Sequence, residues 1–257
     1  MFAHLFAIIT LMNDQTKHKK LRLDHLLVNK KLVRSRSQAE SYIRLGKVLV
    51  DGRVVDKPGF FVGENAEVEL KQQVQYVSRA GLKLESVAAV LGLDFQGKTV
   101  LDVGSSTGGF TDFSLKNGAK KVIAVEVGTR QMVAELARDR RVELHEKTDI
   151  RDFTTDAAID VVLADVSFIS LREILPKIKE LTSAVTEICV MAKPQFEAGR
   201  GQVSKGVVKN ERARREILKN LEVWFQDHGL RVVAKADSQV SGEKGNLERF
   251  YILQVVK

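Results

Sequence analysis

The sequence predicts an α/β protein: a Rossmann-like, mostly parallel sheet preceded by a small α+β module. Three observations carry that expectation. From about residue 79 onward, near-continuous apolar runs of strand length alternate with helical patterns, as a sheet covered on both faces requires. Residues 99–111, TVLDVGSSTGGFT, pass from an apolar strand through Asp102 into Gly104, two hydroxyl residues, Thr107 and the pair Gly108 and Gly109. Basic charge is concentrated in residues 17–53, where eleven Lys or Arg face only Asp24, Glu40 and Asp51; that excess of +8 equals the formal charge of the whole chain.

Taken in order, residues 1–20 read as an extension. Their opening MFAHLFAIITLM is too short to cross a bilayer and lacks the basic start of an export signal, so it is either a short packing helix or sequence upstream of the true start. Residues 21–70 read as a compact module. Leu23, Leu26 and Leu27 give a short helical face ending at Lys30 and Lys31, and Ser37 with Glu40 reads as a capping box for a second helix that stops at Gly46. Residues 48–50 and 53–55 flank Asp51-Gly52, a strong hairpin signal, and residues 66–70 alternate as one more strand.

Residues 71–78 read as a linker and residues 79–257 as the second domain. There the pattern predicts a helix over 79–91 stopped by Gly92, a strand over 99–103, a helix to Asn117, a strand over 122–127 and a helix from Thr129. A short strand near Val142 follows, then a strand over 159–165, a helix near 171–181 and a strand over 185–192. The chain closes with a charged helix from about 209 to 226 and two strands, 230–236 and 250–256, near enough to pair antiparallel.

Composition excludes several classes of function. With 44% apolar and 29% charged residues the chain is ordinary globular protein, not disordered. A single cysteine, Cys189, excludes an intramolecular disulfide and fits a reducing compartment, which with the missing export signal makes a cytoplasmic location the expectation. No Cys or His cluster has metal-ligand spacing, so no metal is expected, and without a membrane-length apolar helix no membrane partner is expected.

Chemistry is expected at the strand ends. Ligands of a doubly wound sheet sit beyond the carboxyl ends of its strands, where glycines admit a ribose or an amino-acid moiety that a Cβ would exclude. The glycine spacing here is not the G-x-G-x-x-G that seats a pyrophosphate, so a nucleoside without phosphates, S-adenosylmethionine, fits better. The expected cofactor-binding residues are Asp102, Gly104, Ser105, Ser106, Thr107, Gly108, Gly109, Phe110 and Asp165, with Glu126 for a ribose diol and Asp149 for an adenine amino group. Glu126 would serve a nicotinamide equally well, and either carboxylate can instead be a plain loop residue.

Lys193 ends the apolar strand ICVMAK, beside Asp165 at the end of VVLAD. Methyl transfer from a sulfonium to a hydroxyl is an in-line displacement, for which an amine can orient the oxygen and take its proton; Lys83 would be a nearby cation or a second donor. Rival chemistries lack their residues. The strand before Val166 is not followed by the paired prolines of amino-group methyltransferases, and Cys189 lies mid-strand as a structural thiol, not as the nucleophile of pyrimidine C5 methylation.

In the N-terminal module Lys19, Lys20, Arg22, Arg34, Ser35, Arg36, Gln38, Arg44, Lys47 and Arg53 are expected to contact RNA phosphates. Tyr42 is the main aromatic there, so backbone and shape recognition is expected over base stacking. A second basic set, Lys205, Lys209, Arg212, Arg214 and Arg215, follows the insert 197–206, which is either a lid or a surface loop.

The small basic module together with RAGLKLE, LDVGSSTGGFTD, ADVSFIS and AKPQFE resembles the TlyA group of ribosomal RNA 2′-O-methyltransferases, whose catalytic domain is similar to the FtsJ (RrmJ) methyltransferase. The module itself resembles the S-four RNA-binding domain, and the resemblance spans about residues 21–257. It implies an S-adenosylmethionine-dependent methyltransferase sheet, ribosomal RNA or a ribosomal subunit as partner, and a ribose, a cytidine's among the family's substrates, as acceptor. It also implies a Lys-Asp-Lys-Glu catalytic set on Lys83, Asp165, Lys193 and Glu248, with Glu243 in the same loop as the alternative. Glu126 and Asp149 stand where close relatives would have Asp and Asn; both keep acceptor capacity. The rivals are a nicotinamide enzyme, an RNA-binding protein with a degenerate methyltransferase fold, and a membrane-lytic protein, since members of this group have carried a haemolysin label.

Overall fold

The computed structural model describes residues 20–33, 35–71, 76–199, 201–208, 210–242 and 244–256. The extension before residue 20, residues 72–75 of the 71–78 linker, and the expectations for Lys19, Arg34, Lys209 and Glu243 lie outside them. The chain divides into two compact units, Met1–Gln73 and Val74–Lys257.

In the first unit a short strand β1 (Lys20–Arg22) pairs antiparallel with β4 (Phe61–Gly63). Helices α1 (Leu23–Asn29) and α2 (Arg36–Arg44) pack together and bury Leu23, Leu26, Leu27, Ala39, Tyr42 and Ile43. Strands β2 (Val48–Val50), β3 (Arg53–Val54) and β5 (Val68–Leu70) form a sheet in the order β3-β2-β5. The hairpin turns at Asp51 and Gly52, both at positive φ, as Asp-Gly predicts. One expectation is corrected: the cap of α2 is Ser35, whose Oγ accepts the Gln38 backbone N–H at 3.2 Å. Ser37 lies inside the helix instead, because Ser35-x-x-Gln38 is itself a capping pattern and Ser35 has the extended backbone a cap needs.

The second unit opens with α3 (Arg79–Leu91), which ends at Gly92 in the left-handed conformation. Then follow β6 (Thr99–Val103), α4 (Gly109–Lys116), β7 (Lys121–Val125), α5 (Ala134–Ala137), β8 (Val142–His145), β9 (Val161–Ala164), α6 (Leu171–Glu180), β10 (Glu187–Ala192) and α7 (Pro194–Glu197). A hairpin of β11 (Val203–Ser204) and β12 (Val207–Val208), α8 (Glu211–Asp227), β13 (Leu230–Asp237) and β14 (Arg249–Val255) complete it. The seven-stranded sheet runs β13-β14-β10-β9-β6-β7-β8. Its strands pair in parallel from β10 to β8, and β14 pairs antiparallel with both β10 and β13. Apolar residues of β6, β7, β9 and β10 and of α6 and α8 form the core.

β6 and β9 are neighbours, yet the chain leaves β6 toward β7 on one side and β9 toward β10 on the other. That reversal opens a crevice beyond their carboxyl ends, where a doubly wound sheet binds its ligand. Two sequence expectations are corrected around it. The helix expected from Thr129 shrinks to the four residues of α5, because the loop before it wraps the Glu126 carboxylate through Gly128 N–H and Gln131 Nε2. The insert over 197–206 is in part structured: Glu197 accepts from the Ser170 hydroxyl and the Leu171 N–H at the start of α6, and β11 and β12 form a tight hairpin. Among the described residues no helix is long and apolar enough to cross a membrane.

Candidate active site

The crevice is built by three turns. After β6 the chain rises through Gly104 at φ +78° and Gly108 at φ +93° into the start of α4. A Cβ on Gly104 would come within 2.9 Å of the Asp165 carbonyl oxygen, so only glycine lets the first turn lie against the end of β9. The missing Cβ of Gly108 makes room for Leu136, 2.5 Å from where that atom would stand.

The main cleft, of about 350 Å³, is lined by Gly104, Ser106, Glu126, Asp149, Asp165 and Phe168 among others. Glu126 is buried and accepts backbone N–H groups from Ser106 at 2.8 Å and Gly128 at 2.7 Å, which orients its carboxylate at the cleft wall. Asp149 takes both the backbone N–H and the guanidinium of Arg151, whose hydrogen bonds hold its carboxyl below the usual range. Adjoining this cleft is a smaller recess lined by Ser78, Asp102, Ser105, Thr107, Gly109, Phe110, Asp165 and Lys193. Asp102 is fully buried; its Oδ2 accepts the Thr111 hydroxyl at 2.6 Å while its Oδ1 has no hydrogen-bond partner. Burial, with Asp165 and Glu126 nearby, pushes its carboxyl up to about 7. Ser78 Oγ and Ser105 Oγ are likewise buried without a partner.

Beyond Asp165 and Lys193 lies a third pocket, lined by Lys83, Ser167, Phe168, Lys193, Asn246 and Glu248 among others. Two ion pairs meet there. Lys193 Nζ is 2.6 Å from Asp165 Oδ1 and donates to Ser167 Oγ at 2.7 Å. Lys83 Nζ is 2.5 Å from Glu248 Oε2, and burial raises the Glu248 carboxyl while Lys83 opposes the shift. All four residues implied by the resemblance, Lys83, Asp165, Lys193 and Glu248, thus converge. Cys189 is buried in β10 and burial pushes its thiol up, as befits a structural cysteine.

Sequence reading missed two residues here. Ser78 precedes α3 and reaches the recess only because Gly109 lacks a Cβ, which would stand 2.3 Å from the serine oxygen; nothing local to Ser78 signals this. Phe168 is 92% exposed at φ +66°, with its ring 5.3 Å from that of Phe196, at the junction of the main cleft and the third pocket. A large exposed aromatic in a left-handed backbone is the signal, but only the structure displays it.

In the first unit Lys20, Arg44 and Arg53 are exposed. Arg22 and Arg36 are half-buried and exposed respectively, and both clamp the fully buried Asp24, at 2.8 and 3.0 Å. Burial works against that carboxylate, yet its hydrogen bonds to Arg22 and Arg36 hold it below the usual range. Ser35 Oγ is engaged as the α2 cap, Gln38 is buried, and Lys47 has a partner within the fold. In the second basic set, Arg214 is buried and binds Asp237 and the Leu247 carbonyl, so it leaves the group of free surface cations.

Comparison with known proteins agrees with this geometry. Residues 76–255 match the FtsJ-like methyltransferase family and residues 21–68 match the S4 domain. The chain is 40% identical over 234 residues to a protein named Hemolysin A from Brachyspira hyodysenteriae, covering 89% of this chain and 97% of that one. It is 36% identical over 242 residues to the 16S/23S rRNA (cytidine-2′-O)-methyltransferase TlyA of Mycobacterium tuberculosis, covering 92% and 90%. A solved structure from Streptococcus thermophilus that carries the hemolysin label superposes with a TM-score of 0.69 at 36% identity, over 93% of this chain and 90% of that one. With a methyltransferase sheet, a crevice at its switch point and an S4 domain ahead of it, this chain belongs to the TlyA group of FtsJ-like methyltransferases.

Proposed function

We propose that the protein transfers a methyl group from S-adenosylmethionine to a ribose 2′-hydroxyl of ribosomal RNA, as named for the mycobacterial relative, with residues 21–70 docking on the RNA and residues 79–257 carrying the chemistry. An rRNA substrate puts the reaction in the cytoplasm. The observation that carries this reading is the pair of lysine–carboxylate contacts, Lys193–Asp165 and Lys83–Glu248, at the mouth of a crevice lined by unpartnered buried polar atoms. Those atoms, Asp102 Oδ1, Ser78 Oγ and Ser105 Oγ, suit the charged amino-acid end of the donor, and Glu126 and Asp149 suit its ribose and adenine. When bound, that donor supplies an electrophilic methyl group on a sulfonium.

The protein's own residues do the rest. Lys193 stands between the recess and the third pocket, so its amine, in the neutral form, can hold the incoming hydroxyl and would take its proton as the oxygen–carbon bond forms and the carbon–sulfur bond breaks, S-adenosylhomocysteine being the leaving group. Asp165 fixes that amine and stabilises it once it carries the proton. Lys83, held by Glu248, adds a second donor to the substrate, and the exposed ring of Phe168 offers a face for the base. Incubation with intact ribosomal subunits followed by mass mapping of the RNA should find one added methyl on a ribose. A methyl on a base, or none on any ribosomal substrate, would sink the assignment.

Donor binding should also depend on pH through Asp102. Unfolded, its carboxyl titrates near 3.8; folded, it is pushed up to about 7. Between those values the folded state holds a proton that the unfolded chain does not, so this contribution to stability is full below about 4 and is lost as pH rises through about 7. A cationic ligand beside Oδ1 favours the ionised form, so S-adenosylmethionine affinity should rise with pH up to about 7 and level off above it. Calorimetry in two buffers of different ionisation enthalpy should detect proton release at pH 6.5 in the wild type and none in Asp102→Asn. Equal proton release in both would show that another group titrates.

A further inference from the structure

The hairpin that follows the catalytic lysine has a tip that takes no part in the methyl transfer itself. Its turn consists of Lys205 and Gly206, with φ of 51° and 82°, between the paired residues Ser204 and Val207. Two positive-φ residues give the turn whose twist suits a hairpin, but the left-handed conformation is one that a lysine adopts only when its surroundings impose it. Asn246 imposes it. Its buried side chain donates to the Gly206 carbonyl at 2.9 Å and accepts from the Val208 N–H at 3.1 Å. Gly206 matters for a second reason, because a Cβ there would stand 2.9 Å from the Lys244 ammonium, which therefore lies directly over the backbone of the turn.

Gly206, Lys244 and Asn246 line the same pocket as Lys83, Lys193 and Glu248. Two of the pocket's lysines are neutralised by carboxylates, Lys83 by Glu248 and Lys193 by Asp165. Lys244, which lines the pocket, and Lys205, the chain neighbour of its Gly206, are exposed, and neither pairs with a described carboxylate. Lys83 and Lys193 are thus balanced, whereas Arg79 of the same pocket and Lys205 and Lys244 make no ion pair with a carboxylate among the described residues. In RNA the group attached on either side of a ribose is an anionic phosphodiester.

The geometry points to a phosphate clamp: Lys205 and Lys244 grip the RNA phosphodiester next to the reacting ribose, and Asn246 is the positioning residue that holds the hairpin tip in place for them. This rests on the ribose-methylation reading above. It adds that the methyltransferase domain holds the RNA backbone itself, independently of the S4 domain.

The test is single-turnover methylation as a function of RNA and salt concentration. Lys205→Gln with Lys244→Gln should raise the RNA concentration for half-maximal rate about tenfold at 0.1 M salt and flatten the salt dependence by about 0.7 for each phosphate no longer gripped, without changing S-adenosylmethionine affinity. Asn246→Ala, with every charge retained, should flatten the salt dependence in the same way, an effect that a merely structural role would not produce. Once the wild-type protein has located the methylated ribose, an uncharged methylphosphonate at its neighbouring phosphate should weaken the wild type and leave the double lysine variant unaffected. Equal losses in both proteins, or a wild-type salt slope in the double variant, would overturn the clamp while leaving ribose methylation standing. If the wild type places no methyl on any ribose, the underlying reading fails, and the clamp with it, before any variant is compared.

Discussion

Lys193→Ala is expected to lower single-turnover methyl transfer by about a hundredfold or more while cofactor and RNA affinity stay within a few fold of wild type. The register of β10 with β9 pairs Val190 with Ala164 and so brings the residues beyond them, Lys193 and Asp165, to the same edge of the sheet. The 2.6 Å contact between them and the hydrogen bond to Ser167 hold the amine between the recess of Asp102 and the pocket of Lys83 and Glu248. Removing it takes away the group proposed to orient the hydroxyl, and leaves the cleft of Gly104 and Glu126 in place. Lys193→Arg should fail as well, because a guanidinium stays protonated and cannot accept the proton. Substantial transfer by Lys193→Ala on an intact ribosomal substrate would remove this lysine from the mechanism.

Glu248→Ala should cost stability as well as activity, on the order of 3 kcal/mol in urea unfolding, because it leaves the mostly buried Lys83 ammonium without its partner. Burial disfavours the charge of Glu248, as the upward shift of its carboxyl shows, so the pair is held for what it does and is not a general source of stability. The double variant Lys83→Met with Glu248→Leu should therefore recover most of the lost stability and none of the methyl transfer. If the double variant were as active as wild type, the pair would be a packing device only. If it were as unstable as Glu248→Ala, the cost would lie in the shape of the pocket and not in the unpaired charge.

The boundaries that the sequence states most plainly are those with chemical stops. Gly92 ends α3 in the left-handed conformation, and the apolar run over Thr99–Val103 is β6 to the residue. Elements without such stops were not legible: β1 and β4 are three residues each, too short to show alternation, and exist because they pair with each other. The helix expected from Thr129 had suitable local residues, but the loop is drawn instead to the Glu126 carboxylate. For the site, the neighbouring ends of β9 and β10 made a meeting of Asp165 with Lys193 readable, whereas Lys83 and Glu248 lie at opposite ends of the domain's sequence and were matched only through the family's motif.

The amino-acid sequence alone therefore determined the alternating α/β pattern, the glycine turn after β6, the basic N-terminal module and the set of residues able to do methyl-transfer chemistry, because each is a property of contiguous residues or of their types. The tertiary structure decided which of them meet. The strand order β14-β10-β9-β6 sets Glu248, Lys193, Asp165 and Asp102 side by side at one edge of the sheet. Close approach at glycines brings Ser78 into the recess, and Asn246 turns a loop into a hairpin with Lys205 at its tip. Such contacts are set by hydrogen-bond register and by the space left where a Cβ is missing, and both depend on chain segments far apart in sequence.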